Sequence, residues 1–143
     1  MDGSVVLDTS VVLKWFRQEE VLADPALALR AAYLDGRLLV VVPSLVAYEL
    51  ANVLRYKEDL SIDQVQQAVQ SLFDMGLEWV SPSGTMMRRA VEIGRVYETT
   101  VYDAAFAALA ESLSSTFVTA DERLARCLEP LAVVRFLGDV EEA

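Results

Sequence analysis

The stretch 4–10 constrains the fold most, because a short apolar run ends there abruptly on a carboxylate. Residues 5–7 are Val-Val-Leu, a continuous hydrophobic run typical of a strand buried on both faces of a parallel sheet. Asp8 and two hydroxyl residues follow, and then a helical pattern begins. Ligands of open α/β sheets bind beyond the carboxyl ends of the strands. Asp8 is therefore predicted at the mouth of such a crevice, although it or either hydroxyl residue could simply cap the helix.

Short apolar runs alternate with helical patterns along the whole chain, which predicts one α/β domain over residues 1–143 with a mainly parallel sheet. The run at 78–80 is expected at a sheet edge, and the helix at 100–113, apolar almost all round, is expected to be central. Strands are predicted at 5–7, 38–42, 78–80, 116–118 and 133–136, and helices at 11–17, 23–35, 44–57, 61–76, 83–97, 100–113 and 121–128.

Hydrophobic residues make up 54% of the chain, yet no apolar run approaches the roughly 18 residues of a membrane span. The start, Met1-Asp2, lacks the basic segment and apolar stretch of a secretory signal. We therefore expect a cytoplasmic protein without a membrane segment. A sheet buried on both faces, together with an apolar surface for self-association or a partner, would account for the high hydrophobic content.

The chain contains no histidine, and Cys127 is its one cysteine. Serine and cysteine hydrolase mechanisms that use histidine are excluded, as are an internal disulfide and zinc sites built on His or several Cys. The net charge of −10 argues against nonspecific binding of nucleic acid. A nucleic-acid substrate remains compatible with that charge if acids are concentrated at a metal site, and a basic protein partner is plausible.

Three further acids occupy places comparable to that of Asp8. Glu49 lies on or beside the apolar face of its helix, where long acids are rarely buried without a partner. Asp103 opens the most apolar helix, and Asp121 follows a strand. The alternatives are a solvent-reaching Glu49 and local capping: Thr100 with Asp103 fits a capping box, and a box of Thr119 with Glu122 would leave Asp121 free to face the crevice.

If these four acids converge, their mutual repulsion matters. Two unit charges about 5 Å apart repel by roughly 3 kcal/mol at an effective dielectric near 20, so six pairs would reach about 20 kcal/mol. A domain with about 5–15 kcal/mol of stability does not easily tolerate that. The cluster must be protonated, paired with Arg or Lys, or neutralised by divalent cations. Oxygen ligands without His or Cys favour hard ions, Mg²⁺ or Mn²⁺.

Four segments in this order resemble the PIN-domain family. They are Val6-Leu7-Asp8-Thr9-Ser10, the helix segment Glu49-Leu-Ala-Asn52-Val-Leu, Tyr102-Asp103-Ala, and Thr119-Ala-Asp121 with Leu124. At this length, the chain resembles the stand-alone VapC-type toxin nucleases of prokaryotic toxin–antitoxin pairs. No single segment is specific, but the ordered set covers essentially the whole chain.

The resemblance implies a metal-dependent endoribonuclease that hydrolyses RNA phosphodiester bonds with one or two Mg²⁺ or Mn²⁺ ions. It implies a sheet flanked by helices, a homodimer, and a small cognate antitoxin that blocks the site. The acidic quartet would serve as catalytic and metal-binding residues, and four polar residues would support it. The quartet is matched by Asp8, Glu49, Asp103 and Asp121, and the supporting positions by Thr9, Ser10, Asn52 and Thr119. Some members carry a fifth acid where this chain has Arg123.

Cationic residues on several helices are possible contacts to the RNA backbone, although solvated helix faces would explain any one of them. These residues are Lys14, Arg17, Arg88, Arg89, Arg123 and Arg126. Lys14 and Arg17 are expected to share an exposed face. The helix at 61–75 and the one before it carry more apolar positions than a sheet contact requires. They are predicted to form part of the dimer or antitoxin surface.

Two other functions compete with this hypothesis. A phosphotransferase of the haloacid-dehalogenase type would need a second Asp two residues after Asp8, where this chain has Ser10. A non-catalytic PIN-fold module that binds RNA or protein is the stronger alternative, since sequence alone does not separate it from a nuclease.

Overall fold

Five parallel strands form the central sheet of the computed structural model, which describes residues 3–140. The strands are β1 (Gly3–Leu7), β2 (Leu38–Pro43), β3 (Glu78–Val80), β4 (Thr116–Thr119) and β5 (Val134–Phe136). Their order across the sheet is β3-β2-β1-β4-β5, and every neighbouring pair is parallel. The predicted α/β class is confirmed, and β3 lies at an edge as expected.

The strand order places a crevice beside β1. From β1 the chain moves outward through β2 to β3 and then crosses back to β4 on the other side of β1. Leu7 is in register with Val118, so β1 and β4 end side by side. In sheets of this kind, ligands bind where the strand order reverses, outside the carboxyl ends of the strands. The residues that follow β1 and β4 therefore meet at this crevice.

Helices join the strands close to the predicted positions. Within residues 3–140 they are α1 (Thr9–Phe16), α2 (Ala23–Leu34), α3 (Leu45–Arg55), α4 (Ile62–Asp74), α5 (Gly84–Tyr97), α6 (Val101–Ser112) and α7 (Glu122–Cys127), with a 3₁₀ turn at Leu137–Asp139. A capping box starts α4: the Ser61 amide donates to Gln64 Oε1 at 2.8 Å, and the Gln64 amide donates to Ser61 Oγ at 3.1 Å. Among the residues described, no helix is both long and apolar enough to cross a membrane.

The α6 helix is central, as its sequence predicts. Residues 104–110 are all buried, and α6 packs against β1, β2 and β4. Five of those seven residues are alanines, whose short side chains let the helix lie close to the sheet. Phe106 stacks on Phe117 of β4 with ring centroids 5.5 Å apart. This packing holds the first turn of α6 beside the strand ends.

The α4 helix buries little of its apolar surface within the chain. Leu72 is its one buried residue, whereas Ile62 is 80% exposed and Phe73 is 48% exposed and stacks on Trp79 of the edge strand. Tyr56, just after α3, is also exposed. An apolar surface on α3 and α4 is therefore present where the sequence predicted one.

Candidate active site

Asp8 lies at the end of β1 inside a cage of hydrogen bonds and is only 6% exposed. Its Oδ1 accepts from the Ser10 amide at 3.0 Å and from the Ser10 hydroxyl. Its Oδ2 accepts from Oγ1 of Thr119, the last residue of the neighbouring strand β4, at 2.5 Å. Ser10 Oγ in turn accepts from the Ala120 amide at 2.9 Å. Asp8 thus caps α1, as the alternative reading held, and also faces the crevice between β1 and β4.

Burial raises the pKa of Asp8 from 3.8 to about 6, although the hydrogen bonds from Ser10 and Thr119 oppose the shift. Removal from water disfavours the charged form of a carboxyl group. Near neutral pH the carboxylate is therefore ionised at a cost in free energy. A nearby cation would offset that cost.

Glu49, on α3, is held by a residue adjacent to Asp8. Thr9 Oγ1 donates to Glu49 Oε1 at 2.7 Å, so α1 and α3 are joined at the crevice. Partial burial raises the pKa of Glu49, the Thr9 hydrogen bond lowers it, and the negative charge of Asp103 raises it further. The influence of Asp103 indicates that these two acids, from α3 and α6, share one electrostatic environment.

Asp103 lies in the first turn of α6 and is half-buried. Its amide donates to Thr100 Oγ1 at 3.1 Å, which confirms that Thr100 caps the helix. Burial raises the pKa of Asp103, hydrogen bonding with Thr100 lowers it, and the charge of Asp121 raises it. Asp103 is therefore coupled electrostatically to Glu49 on one side and to Asp121 on the other.

Asp121 is exposed and is itself the N-cap of α7, with its Oδ1 accepting from the Leu124 amide at 3.1 Å. The predicted capping box of Thr119 with Glu122 is wrong. Strand β4 extends through Thr119, whose Oγ1 donates to Asp8 and accepts from the Asp121 amide at 3.1 Å. Thr119 is thus the link between the first and last acids of the quartet.

Hydrogen bonds and electrostatic influence connect the four acids in series around the crevice. No salt bridge joins any of them to Lys or Arg within residues 3–140. In the same range, no three side chains of His, Cys, Asp or Glu are close enough together to hold a metal. The donors are carboxylate and hydroxyl oxygens, the chemistry that Mg²⁺ and Mn²⁺ prefer. These residue types fit such an ion.

Of the four residues predicted to support the quartet, three contact it in the structure and Asn52 does not. Thr9, Ser10 and Thr119 each hydrogen-bond to a carboxylate of the quartet. Asn52 is exposed, and its Oδ1 accepts from Arg55 Nε at 3.4 Å. In the described residues, then, Asn52 is bonded to its own helix and not to the quartet.

Most of the cations proposed as RNA contacts are already paired with acids. Lys14 with Glu20, Arg17 with Asp59, Arg89 with Glu111 and Arg126 with Glu122 form salt bridges of 2.7–3.2 Å. The prediction that Lys14 and Arg17 share an exposed face is wrong. Lys14 is 9% exposed because the turns after α1 bring Glu20 back to it, and Arg17 is half-buried. Arg88 and Arg123 are exposed.

A cavity of about 190 Å³ lies beside two acids of the quartet. Its lining is formed by Glu98, Thr99, Thr100, Asp103, Asp121, Arg123, Leu124 and Cys127. Sequence reasoning missed Glu98 and Thr99, which lie in the loop between α5 and α6. Their position directly before the predicted cap Thr100 was the available signal. Glu98 has φ of +55°, a conformation uncommon for residues other than glycine.

The fold is shared with several solved structures at low sequence identity. The VapBC2 structure from Rickettsia felis, bound to a fragment of its promoter DNA, matches with a TM-score of 0.69 at 16% identity, covering 93% of this chain and 98% of that one. A toxin–antitoxin complex from Klebsiella pneumoniae gives 0.69 at 14% identity, covering 95% and 99%. VapC20 of Mycobacterium tuberculosis, a toxin that cleaves the sarcin-ricin loop, gives 0.65 at 13% identity, covering 85% and 93%.

The sequence itself matches a family model over most of its length. No curated protein is a significant sequence match. The model described as the PIN domain, however, matches residues 5–127, from β1 to the end of α7. That range contains all four acids of the crevice and the three hydroxyl residues that hold two of them. The chain therefore belongs to the PIN domain family.

Proposed function

We propose that this protein is a metal-dependent endoribonuclease and the toxin of a VapBC-type toxin–antitoxin pair, acting in the cytoplasm. The observation that carries the proposal is the set of four carboxylates at the crevice: Asp8 is buried at the end of β1, and Asp103 is linked electrostatically to Glu49 and to Asp121. Membership of the PIN family supports it, as does a shared fold with toxins, one of which is described as cleaving the sarcin-ricin loop. The alternative is a PIN-fold module that binds RNA or protein without cleavage.

In this proposal the quartet holds Mg²⁺ or Mn²⁺, with carboxylates supplied by Asp8, Glu49, Asp103 and Asp121. When bound, the ion would make water more acidic and offset negative charge on the phosphate. The hydroxyl groups of Ser10 and Thr119 donate to the two oxygens of Asp8. The hydroxyl group of Thr9 donates to Glu49 and orients its carboxylate. Such hydroxyl partners hold carboxylates in place and raise the precision of a site. No histidine is needed, since the carboxylates orient the attacking water.

Cleavage of a mixed RNA in Mg²⁺ or Mn²⁺, with a matched reaction in EDTA, tests the nuclease. Asp8→Asn and Asp103→Asn should each lower the rate by at least about 100-fold, because each removes a negative charge from the quartet. Asp74→Asn, at the exposed end of α4, loses one negative charge outside the quartet and should cleave at the wild-type rate. Purified in the same way, it also shows whether a contaminating nuclease causes the cleavage. Cleavage by both quartet variants at the wild-type rate would refute the site assignment, and RNA binding without cleavage would favour the non-catalytic module.

Metal binding is tested without any substrate. An ion that binds only the folded state stabilises that state by about 2.7 kcal/mol when the free ion concentration is 100 times the Kd. Addition of Mn²⁺ should therefore raise the Tm of the wild type and of Asp74→Asn, and should leave that of Asp8→Asn nearly unchanged. An equal rise in all three proteins would indicate binding outside the quartet.

The apolar surface of α3 and α4 supports a second part of the proposal, a homodimer and an antitoxin that binds beside the site. Ile62 and Tyr56 are exposed there, and an exposed apolar patch is typical of a protein interface. The net charge of −10 favours a basic partner segment. Light scattering at micromolar concentration tests the dimer, and Ile62→Asp should weaken it; a wild-type monomer would refute this part.

The antitoxin and the RNA substrate call for separate experiments. Co-expression with a short neighbouring reading frame should yield a complex in which cleavage is inhibited. Sequencing of the RNA ends that appear after induction of the wild type, compared with Asp8→Asn, should identify the cleaved RNA. Failure of any neighbouring frame to bind or inhibit would count against the toxin assignment while leaving the nuclease assignment standing.

A further inference from the structure

We propose that Arg123 binds a phosphate of the RNA as it enters the acidic crevice. This inference rests on the proposed function, because it concerns the substrate of the same site. Arg123 lies two residues after Asp121 and lines the cavity of about 190 Å³ together with Asp121 and Asp103. It is the one cationic residue in that lining, which also contains Glu98.

The guanidinium of Arg123 is available for an anion. Its side chain is exposed, and within residues 3–140 it forms no salt bridge. The neighbouring cation on α7, Arg126, is bound to Glu122 at 2.7 Å instead. Oδ1 of Asp121 accepts a hydrogen bond from the Leu124 amide. An arginine that lies beside two carboxylates without pairing to either retains its donors for a ligand.

The negative charge of the crevice repels RNA, and the positive charge of Arg123 would offset part of that repulsion. A phosphodiester is an anion and must approach several carboxylates on a protein of net charge −10. A guanidinium presents parallel N–H donors that fit two phosphate oxygens, which an ammonium group does not reproduce. Placed at the edge of the cavity, Arg123 would hold a phosphate close to the quartet while remaining clear of the metal ligands.

Binding of a fluorescently labelled single-stranded RNA, measured by anisotropy in Mn²⁺, tests the inference apart from cleavage. All proteins carry Glu49→Gln, so that the RNA stays intact. Adding Arg123→Ala should weaken binding about tenfold and lower the slope of log K against log salt by about 0.7, the value for one phosphate contact to a single strand. Arg123→Lys should restore the slope but only part of the affinity.

Arg37→Ala is the control for net charge, because Arg37 is an exposed cation just before β2, at the amino ends of the strands and away from the crevice, where it pairs with Asp35 at 3.3 Å. It should leave the affinity within about twofold of the parent. Equal losses in Arg37→Ala and Arg123→Ala would overturn the inference, since they would show an effect of net charge alone. Absence of measurable RNA binding by the parent would overturn it as well.

The metal provides a second readout on the wild-type background. Removal of a positive charge near the quartet should leave the Mn²⁺ concentration that gives half-maximal thermal stabilisation unchanged or lower it. A higher value in Arg123→Ala would show that Arg123 positions the carboxylates, which would overturn a role in phosphate binding. RNA binding that depends on Arg123, in a wild type that never cleaves RNA, would refute the nuclease and leave the inference intact.

Discussion

Asp8→Asn should stabilise the metal-free protein increasingly as the pH rises from about 4 to about 7. Burial raises the pKa of the Asp8 carboxyl to about 6 from 3.8. Each unit corresponds to about 1.4 kcal/mol between the two protonation states. Keeping Asp8 ionised in the folded protein at pH 7 therefore costs about 3 kcal/mol, and the uncharged amide avoids that cost.

The sign of the pH dependence follows from proton binding. The folded protein binds the Asp8 proton more tightly than the unfolded chain does. The Asp8 carboxyl therefore lowers wild-type stability progressively as the pH rises from about 4 to about 7, and its effect levels off above that range. Well below pH 4 the group is protonated in both states, so the charge makes no difference between Asp and Asn.

The hydrogen bonds of the cage add a cost that does not vary with pH. Asn keeps one oxygen to accept from the Ser10 amide, but its NH₂ group replaces the oxygen that accepts from Thr119 Oγ1. Thr119 must then reorient its hydroxyl group. This cost shifts the stability difference between variant and wild type equally at every pH. The change in that difference with pH is therefore the quantity to measure.

Urea unfolding in EDTA at several pH values between 4 and 8 supplies the measurement. The stability of Asp8→Asn relative to wild type should grow by about 2.5 kcal/mol over this range, equivalent to a shift in Tm of roughly 8 °C for a domain of this size. Asp74→Asn reports the effect of neutralising an exposed carboxylate. A difference between Asp8→Asn and wild type that stays flat within about 0.5 kcal/mol would refute the argument that burial makes this charge costly.

Three other substitutions test separate parts of the structure. Thr9→Val keeps the shape of the side chain but removes the donor to Glu49 Oε1, so cleavage should fall by about tenfold or more; Thr9→Ser is the control, and an unchanged rate would contradict the role. Phe106→Ala removes a fully buried ring stacked on Phe117, and urea unfolding should show a loss of about 3–5 kcal/mol. Ser61→Ala removes the N-cap of α4 and should cost about 1 kcal/mol without altering cleavage, in contrast to Thr9→Val.

Elements with a strong local signal were predictable to within one or two residues. The apolar run before Asp8 and the alanine-rich helix that starts near Thr100 are such elements, because hydrophobic pattern and capping depend on neighbouring residues. The strand ends follow from the same pattern. Once the sheet is parallel, they meet at one edge, which brought Asp8 and Asp121 to the same crevice.

The errors arose where residues distant in the sequence decide the outcome. Thr119 had the spacing of a helix cap, but pairing with Phe136 of β5 keeps it in β4, and its hydroxyl group donates to Asp8. Lys14 had the pattern of an exposed helix position, but a turn six residues later covers it and supplies Glu20. Local propensity could not reveal either contact.

By itself, the sequence determined the class of fold, the order of strands and helices along the chain, and the absence of histidine from the candidate site. These depend on residue type and short-range periodicity. The tertiary structure alone decided how deeply Asp8 is buried and that Thr119, 111 residues away, donates to it. The raised pKa of Asp8 follows from that burial, since a carboxyl group has its ordinary pKa until the fold removes it from water.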